Sequence, residues 1–272
     1  MIKVTSLKAQ SILMKRLIVL LPVVLLFVNA CKQEACNNEF AFNYDPDGTS
    51  EENCIWEPMQ FNIAFNVNYG GEEVELGKEL LTEDGRSLTF DYFGVYLSEI
   101  SVYEGESKIT LEDDVMLLLD TNRTFSSLYT PSNSIDSLSF NVGVNQDRND
   151  TLDPTTLSEG PLAPQAVNMY WGWTTGYIFT SISGVVDTTS AADGSAKSGF
   201  QYHTGGNDLL RSVTIESAPT RQGNTLTYQL NLDLKKVLEG VDFTTELSTH
   251  TFDNMPLAIK VTENYKNAFE VE

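Results

Sequence analysis

The chain has 272 residues, 38 of them acidic and 17 basic, for a formal charge of −21 at neutral pH. So negative a surface excludes nucleic acid and anionic lipid as partners held by general charge. It contains only two histidines and three cysteines, with no phosphate loop, no CxxC zinc spacing, no GxSxG elbow and no HExxH pair, so the common catalytic signatures are absent. Paired carboxylates abound in so acidic a chain and discriminate nothing. The protein is read as a binder, not an enzyme.

The first element is a targeting segment. Lys3, Lys8, Lys15 and Arg16 precede the apolar run LIVLLPVVLLFV, too short and wrongly flanked to span a bilayer, which ends in the small-residue stretch VNA before Cys31. A basic start, an apolar middle and a small residue before the cut read as a secretory signal over residues 1–30. The cysteine that follows resembles the lipobox of bacterial lipoproteins. That implies cleavage after Ala30 and lipid on Cys31, anchoring the chain to an envelope membrane without spanning it, on the periplasmic or the outer surface. Removing the signal takes away four basic residues and no acidic one.

With Cys31 lipidated, Cys36 and Cys54 remain, and an oxidising compartment pairs them. The loop between them, NNEFAFNYDPDGTSEEN, resembles the short A-x-N-Y-[DN]-P modules that follow the anchor in surface proteins of Bacteroidetes. Too polar to bury a core of its own, it makes residues 31–58 a tether outside the domain, so reduction is expected to leave the domain's stability unchanged. Asp45, Asp47 and Glu51 are spaced either as calcium ligands or as plain solvated carboxylates.

From residue 59 the pattern is β. Phe61, Ile63, Phe65, Val67 and Tyr69 alternate with mostly polar neighbours, as do Leu138, Phe140, Val142 and Val144, and later Leu226, Tyr228, Leu230, Leu232 and Leu234. Such period-two alternation marks half-buried strands. Further strands are predicted in SLTFDYFGVYLSEISVYEG (one or two), DVMLLLD, GYIFTSIS, FQYH and SVTIES, separated by the turn-rich PSNSID, RNDTLDP, TTSAADGSAKSG and PTRQGN. Helix is scarce: a turn at LKKVLEG stopped by Gly240, and a C-terminal helix opening at Pro256 with Asp253 or Asn254 as cap. Leu257, Val261, Tyr265 and Phe269 would line its packed face. The predicted architecture is one mainly β domain over 59–272, an antiparallel sandwich or barrel with a short C-terminal helix.

Three features bear on chemistry. The stretch VNMYWGWTTGYIF carries Trp171 and Trp173, which strand alternation puts on one face opposite Tyr170 and Gly172. A Trp-x-Trp pair is either core packing or a functional site. FQYHTGG ends in His203, either a hydrogen-bonded strand-end residue or a metal ligand. Asp147, Asn149, Thr151 and Asp153 alternate as oxygen ligands of a calcium loop would, or as a polar hairpin loop does.

The order of FNVGVNQDRNDTLDP, MYWGWTTGYIFTSISG, GFQYHTGG, the long strand ending DLKKVLEG, and THTFDNMP with ENYKNAF resembles the MbnP-like family, methanobactin-associated periplasmic proteins and their Bacteroidetes lipoprotein relatives. The match spans about residues 59–272. The resemblance implies copper binding by histidines together with a tryptophan oxidised to kynurenine by a dihaem, cytochrome-peroxidase-like partner. It implies His203 as a ligand, with His250 the other histidine available, and Trp171 or Trp173 as the oxidised residue. His203 is expected beside an indole, that of Trp173 first, with Tyr170, Tyr177 and Tyr202 as the redox-active surround.

One departure stands out. Many relatives have a histidine in the first strand after the anchor, where Val67 stands here, which leaves Met169 or Met255 as soft substitutes and predicts weak binding before maturation. The competing reading is a surface lipoprotein that stacks a glycan or a protein on an exposed row of these aromatics.

Overall fold

A computed structural model describes residues 36–172 and 175–272. The signal over 1–30, the lipidation site Cys31 and Trp173 lie outside the described residues. The strands run in chain order as β1 (Met59–Tyr69), β2 (Glu72–Glu73), β3 (Glu79–Leu81), β4 (Ser87–Glu104), β5 (Ser107–Thr110), β6 (Met116–Leu119), β7 (Thr124–Tyr129) and β8 (Ser137–Val142). They continue as β9 (Ile178–Asp187), β10 (Lys197–Gly205), β11 (Arg211–Ile215), β12 (Thr220–Gln222), β13 (Thr225–Asp233), β14 (Ser248–His250) and β15 (Phe269–Val271). Short helices are α1 (Gln146–Thr151), α2 (Leu234–Val237) and α3 (Met255–Asn264).

Two sheets face one another. The smaller has the order β12-β13-β1-β2, with β15 added to β13 and β7 to β1; the larger runs β11-β8-β4-β9-β10-β14, with β3, β5 and β6 also on β4. The alternating apolar residues of β1 and β13 meet those of β4, β8, β9 and β10 in one core, which Leu257 and Val261 of α3 and then Tyr265 complete. The predicted sandwich is therefore present, although β1–β13 and β10–β14 are parallel pairs. Strand β4 is a single 18-residue strand. Its pairing shifts between Phe90 and Tyr92 and again between Ser98 and Ser101, where Glu99 has a φ of 52°. Such bulges let one long strand bend around the sandwich.

The outer face of the large sheet is also covered. Tyr96 and Leu117, which alternate with inward-facing neighbours, pack with Val144, Leu162, Met169, Tyr177, Ile178 and Phe179 in a second apolar cluster. Most of that cover is the segment between β8 and β9, which brings the tryptophan stretch over the sheet. Among the described residues no helix is long and apolar enough to cross a membrane.

The disulfide joins Cys36 and Cys54, with Cα atoms 4.8 Å apart. The segment it closes is not a detached tether, however. Phe40 is 2% exposed and belongs to the main core, against which Trp56 also packs. Arg221 donates Nη1 to the carbonyls of Glu39 and Ala41, and its guanidinium lies 5.6 Å from the centre of the Tyr44 ring. Asn38 donates to Ser134 Oγ at 3.2 Å. These contacts argue against the expectation that reduction spares the domain, because the loop borrows the domain's core in place of one of its own.

Candidate metal centre

Strand β10 turns Phe200 and Tyr202 into the core, so Gln201 and His203 take the outward face. Strand β14 lies parallel beside it, with Thr249 opposite Tyr202 and His250 opposite His203. In-register neighbours on adjacent strands project to the same side of a sheet. The two imidazoles therefore stand next to each other, ring centres 5.1 Å apart and planes at 85°. Rings at this spacing can share one ion, since a metal–nitrogen bond is about 2 Å long. Ser181 of β9 pairs with His203 on the other flank.

Burial, with the neighbouring His250 adding to it, pushes the pKa of His203 down from 6.5 to about 4. The ring is neutral at physiological pH and keeps a lone pair for a metal. Its Nε2 lies 3.0 Å from the Gln201 side-chain amide. A metal at Nε2 has to displace that amide, whereas one at Nδ1 does not. His250 is half-exposed, with Nδ1 3.3 Å from Asp253 Oδ2. Two imidazoles fit copper in either oxidation state. Among the described residues there is no group of three or more His, Cys, Asp or Glu side chains placed to hold a metal.

The pH consequence has a definite sign. The unfolded chain binds a proton on residue 203 below about 6.5, and the folded chain refuses it until about pH 4. Stability from this site is thus fully present above 6.5 and drains away as pH falls from 6.5 to 4. In the metal-free protein the His203 ring resonances should titrate near pH 4, and His203→Gln should flatten that part of the stability curve. Titration near 6.5 would show the ring to be open to water.

Trp171 lies against the same strand as His203. A methyl group added to Gly205, two residues along β10 from His203, would lie 3.0 Å from Cζ3 of Trp171 and 2.5 Å from the Tyr177 carbonyl oxygen. The indole is seated on strand β10 because Gly205 leaves the space. The surrounding stretch is not a strand, however. Tyr170 and Tyr177 form an isolated bridge, Trp171 N–H donates to the Gly176 carbonyl, and Gly172 has a φ of +72°. Trp171 and Gly172 belong to no strand, so the strand alternation expected of this stretch does not hold at Trp171. The expected contact between His203 and Trp173 involves a residue outside those described.

The tyrosines divide. Tyr170 and Tyr177 pack edge-on at 5.0 Å, and Tyr177 packs on Tyr96 at 5.5 Å. Tyr202 points into the sandwich core, where its hydroxyl donates to the Glu246 carbonyl, and so it leaves the expected surround. Met169 is 1% exposed in the second cluster and Val67 fully buried in the main core, in the opposite sheet from the histidines. A histidine at Val67 would enter that core rather than reach the outward face of β10.

Among the described residues neither acidic run gathers a group of three side chains placed to hold a metal. Gln146–Thr151 is helical, and the Asn149 amide is consumed by Thr175, Asn207 and the Tyr177 N–H. Asp153 caps the next turn by accepting from Thr155. Asp45 accepts from the Asp47 N–H in a turn. The two large open grooves, of about 890 and 690 Å³, are lined by neither histidine; a metal needs ligands rather than volume, so the histidine pair is the better candidate. Gln201 and Asp253 carry no sequence signature as partners of the histidines, because each becomes one only through the β10–β14 pairing and the turn that follows it.

Fold and site together define a two-sheet β-sandwich with adjacent imidazoles on the outer face of one sheet. A family model described as MbnP matches residues 58–256, and the chain belongs to the MbnP family. Among solved structures, MbnP from Methylosinus trichosporium is similar, with a TM-score of 0.54 and 16% identity over 75% of this chain and 87% of that one. At that identity the likeness is one of fold. No curated protein matches the chain by sequence.

Proposed function

We propose that this MbnP-family chain is a copper-binding protein of the cell envelope, held to a membrane by lipid on Cys31, and that it binds rather than catalyses. His203 and His250 are the ligands, and Trp171 or Trp173 is the residue matured by a dihaem, cytochrome-peroxidase-like partner. One observation carries this reading: the chain's only two histidines, far apart in sequence, are register partners with ring centres 5.1 Å apart. The depressed pKa of His203 supports it, because a ligand must offer a lone pair at working pH. Copper, when bound, would supply a redox-active, Lewis-acidic centre there. The chain's part is to present two imidazoles from strands fixed by the sheet.

The glycan reading asks for a flat exposed aromatic row. Tyr177 is buried, Tyr170 packs edge-on to it, and Trp171 leans on Gly205, an arrangement that favours copper over a sugar platform.

Metal-free protein titrated with copper against a competing chelator should bind one ion. Both His203→Ala and His250→Ala should weaken that binding at least about tenfold, the scale of one lost ligand. Protein from a host that carries the partner enzyme should show, by intact mass, one tryptophan carbon exchanged for one oxygen and a tighter copper complex. Equal affinity in wild type and both alanine variants refutes the site.

A further inference from the structure

The turn that follows His250 is strained and tied to both histidines, and we propose that Thr251 and Asp253 are positioning residues that hold His250 beside His203 with its Nε2 free. The proposal rests on the copper reading of the pair.

Strand β14 has only three residues and sits at the edge of its sheet, a weak platform for a ligand. What compensates is the turn. Thr251 has a φ of +68°, a left-handed conformation that a β-branched residue keeps only where its surroundings over-determine it. It is 1% exposed. Its hydroxyl accepts from the Gly205 N–H at 3.0 Å and makes a longer contact of 3.4 Å to the His203 carbonyl. The residue after one histidine thus grips the backbone of the strand that bears the other, on both sides of Thr204.

Asp253 completes the arrangement. Its Oδ1 accepts from the His250 backbone N–H at 2.6 Å, and its Oδ2 faces His250 Nδ1 at 3.3 Å. A carboxylate there selects the tautomer with the proton on Nδ1 and leaves the Nε2 lone pair for a metal. Helix α3 does not need this carboxylate as a cap, because Asn254 accepts from the Leu257 N–H. Asp253 is therefore free to serve the ring. Its carboxyl is held below the usual range, first by that backbone N–H.

The test uses the mature full-length chain and copper(II). Asp253→Ala should weaken copper(II) binding by about 10- to 100-fold, the usual cost of losing an outer partner of a ligand. Asp253→Asn, which keeps an acceptor oxygen, should fall between it and wild type. Thr251→Val should weaken binding and alter the copper(II) electron paramagnetic resonance spectrum, and Thr251→Ser should restore both. A merely structural role would lower the melting temperature and leave affinity and spectrum unchanged in the protein that remains folded.

The tautomer is read without metal by long-range proton–nitrogen correlation. His250 should carry its proton on Nδ1 in wild type and shift toward Nε2 in Asp253→Ala. Because Asp253 is exposed, that variant remains available if Thr251→Val fails to fold. An Nε2–H tautomer in wild type, or copper affinity lost in His250→Ala yet unchanged in Asp253→Ala, overturns the proposal. Unchanged affinity in His203→Ala and His250→Ala instead overturns the copper reading, while the tautomer still decides the role of Asp253.

Discussion

Gly184→Ala should leave little or no folded protein. Gly184 lies in β9, paired with Phe90 of β4 on one side and Phe200 of β10 on the other. A Cβ there would stand 1.9 Å from the Thr89 carbonyl oxygen and 2.8 Å from two carbons of the Phe200 ring. The Phe90 and Phe200 rings meet edge-to-face at 6.0 Å, and they are its register partners. Neither a central-strand carbonyl nor that ring pair can move without opening the core, so the cost exceeds the roughly 1–3 kcal/mol usual for overpacking. Gly199→Ala, one strand over, meets nothing nearer than 3.8 Å and should stay within about 1 kcal/mol of wild type. Chemical unfolding of the pair measures the contrast, and equal midpoints would refute it.

Reduction of Cys36–Cys54 is the second large effect. The crosslink spans 18 residues, for which chain entropy suggests a loss of about 3 kcal/mol on opening. Cys36 is fully buried and Phe40 fills the domain core, so a loosened loop withdraws packing as well. Phe40→Ala in the oxidised protein should cost a further amount on the order of 3–5 kcal/mol. Melting curves with and without reductant are the measurement. Coincident curves would mean that the loop is only an attachment.

Most of the fold was legible because half-buried strands announce themselves. Phe61 to Tyr69, Leu138 to Val142 and Leu226 to Leu232 are strands with the predicted faces inward. The C-terminal helix opens on Met255 and Pro256 with Asn254 as cap, and the turn at LKKV is helical. Where apolar residues serve two cores the pattern failed. Tyr170 and Trp171 read as strand residues, yet they lie outside the named strands and pack on the outer face of the large sheet, with Gly172 at positive φ.

The loop 36–54 misled for a related reason: its polar composition hid one phenylalanine that counts. As for the site, the residue types were legible but their adjacency was not. His203 and His250 are joined by a parallel pairing that carries no local signal, and Asp253 reads in sequence as a helix cap.

The parallel pairing of β1 with β13 sets an order of events. Strand β1 finds β2 and β7 early, but its other edge, Gln60 to Asn68, stays open until Thr225 to Asp233 has been made. Long-range pairing of this kind is slow and leaves a bare strand edge in the meantime. A chain made N-terminus first cannot close its smaller sheet strand by strand, and residues 59–69 keep one bare edge until β13 has been made. The same delay governs the histidines, since β14 follows β13. A truncated or half-delivered chain offers a single imidazole, and only a finished one presents two.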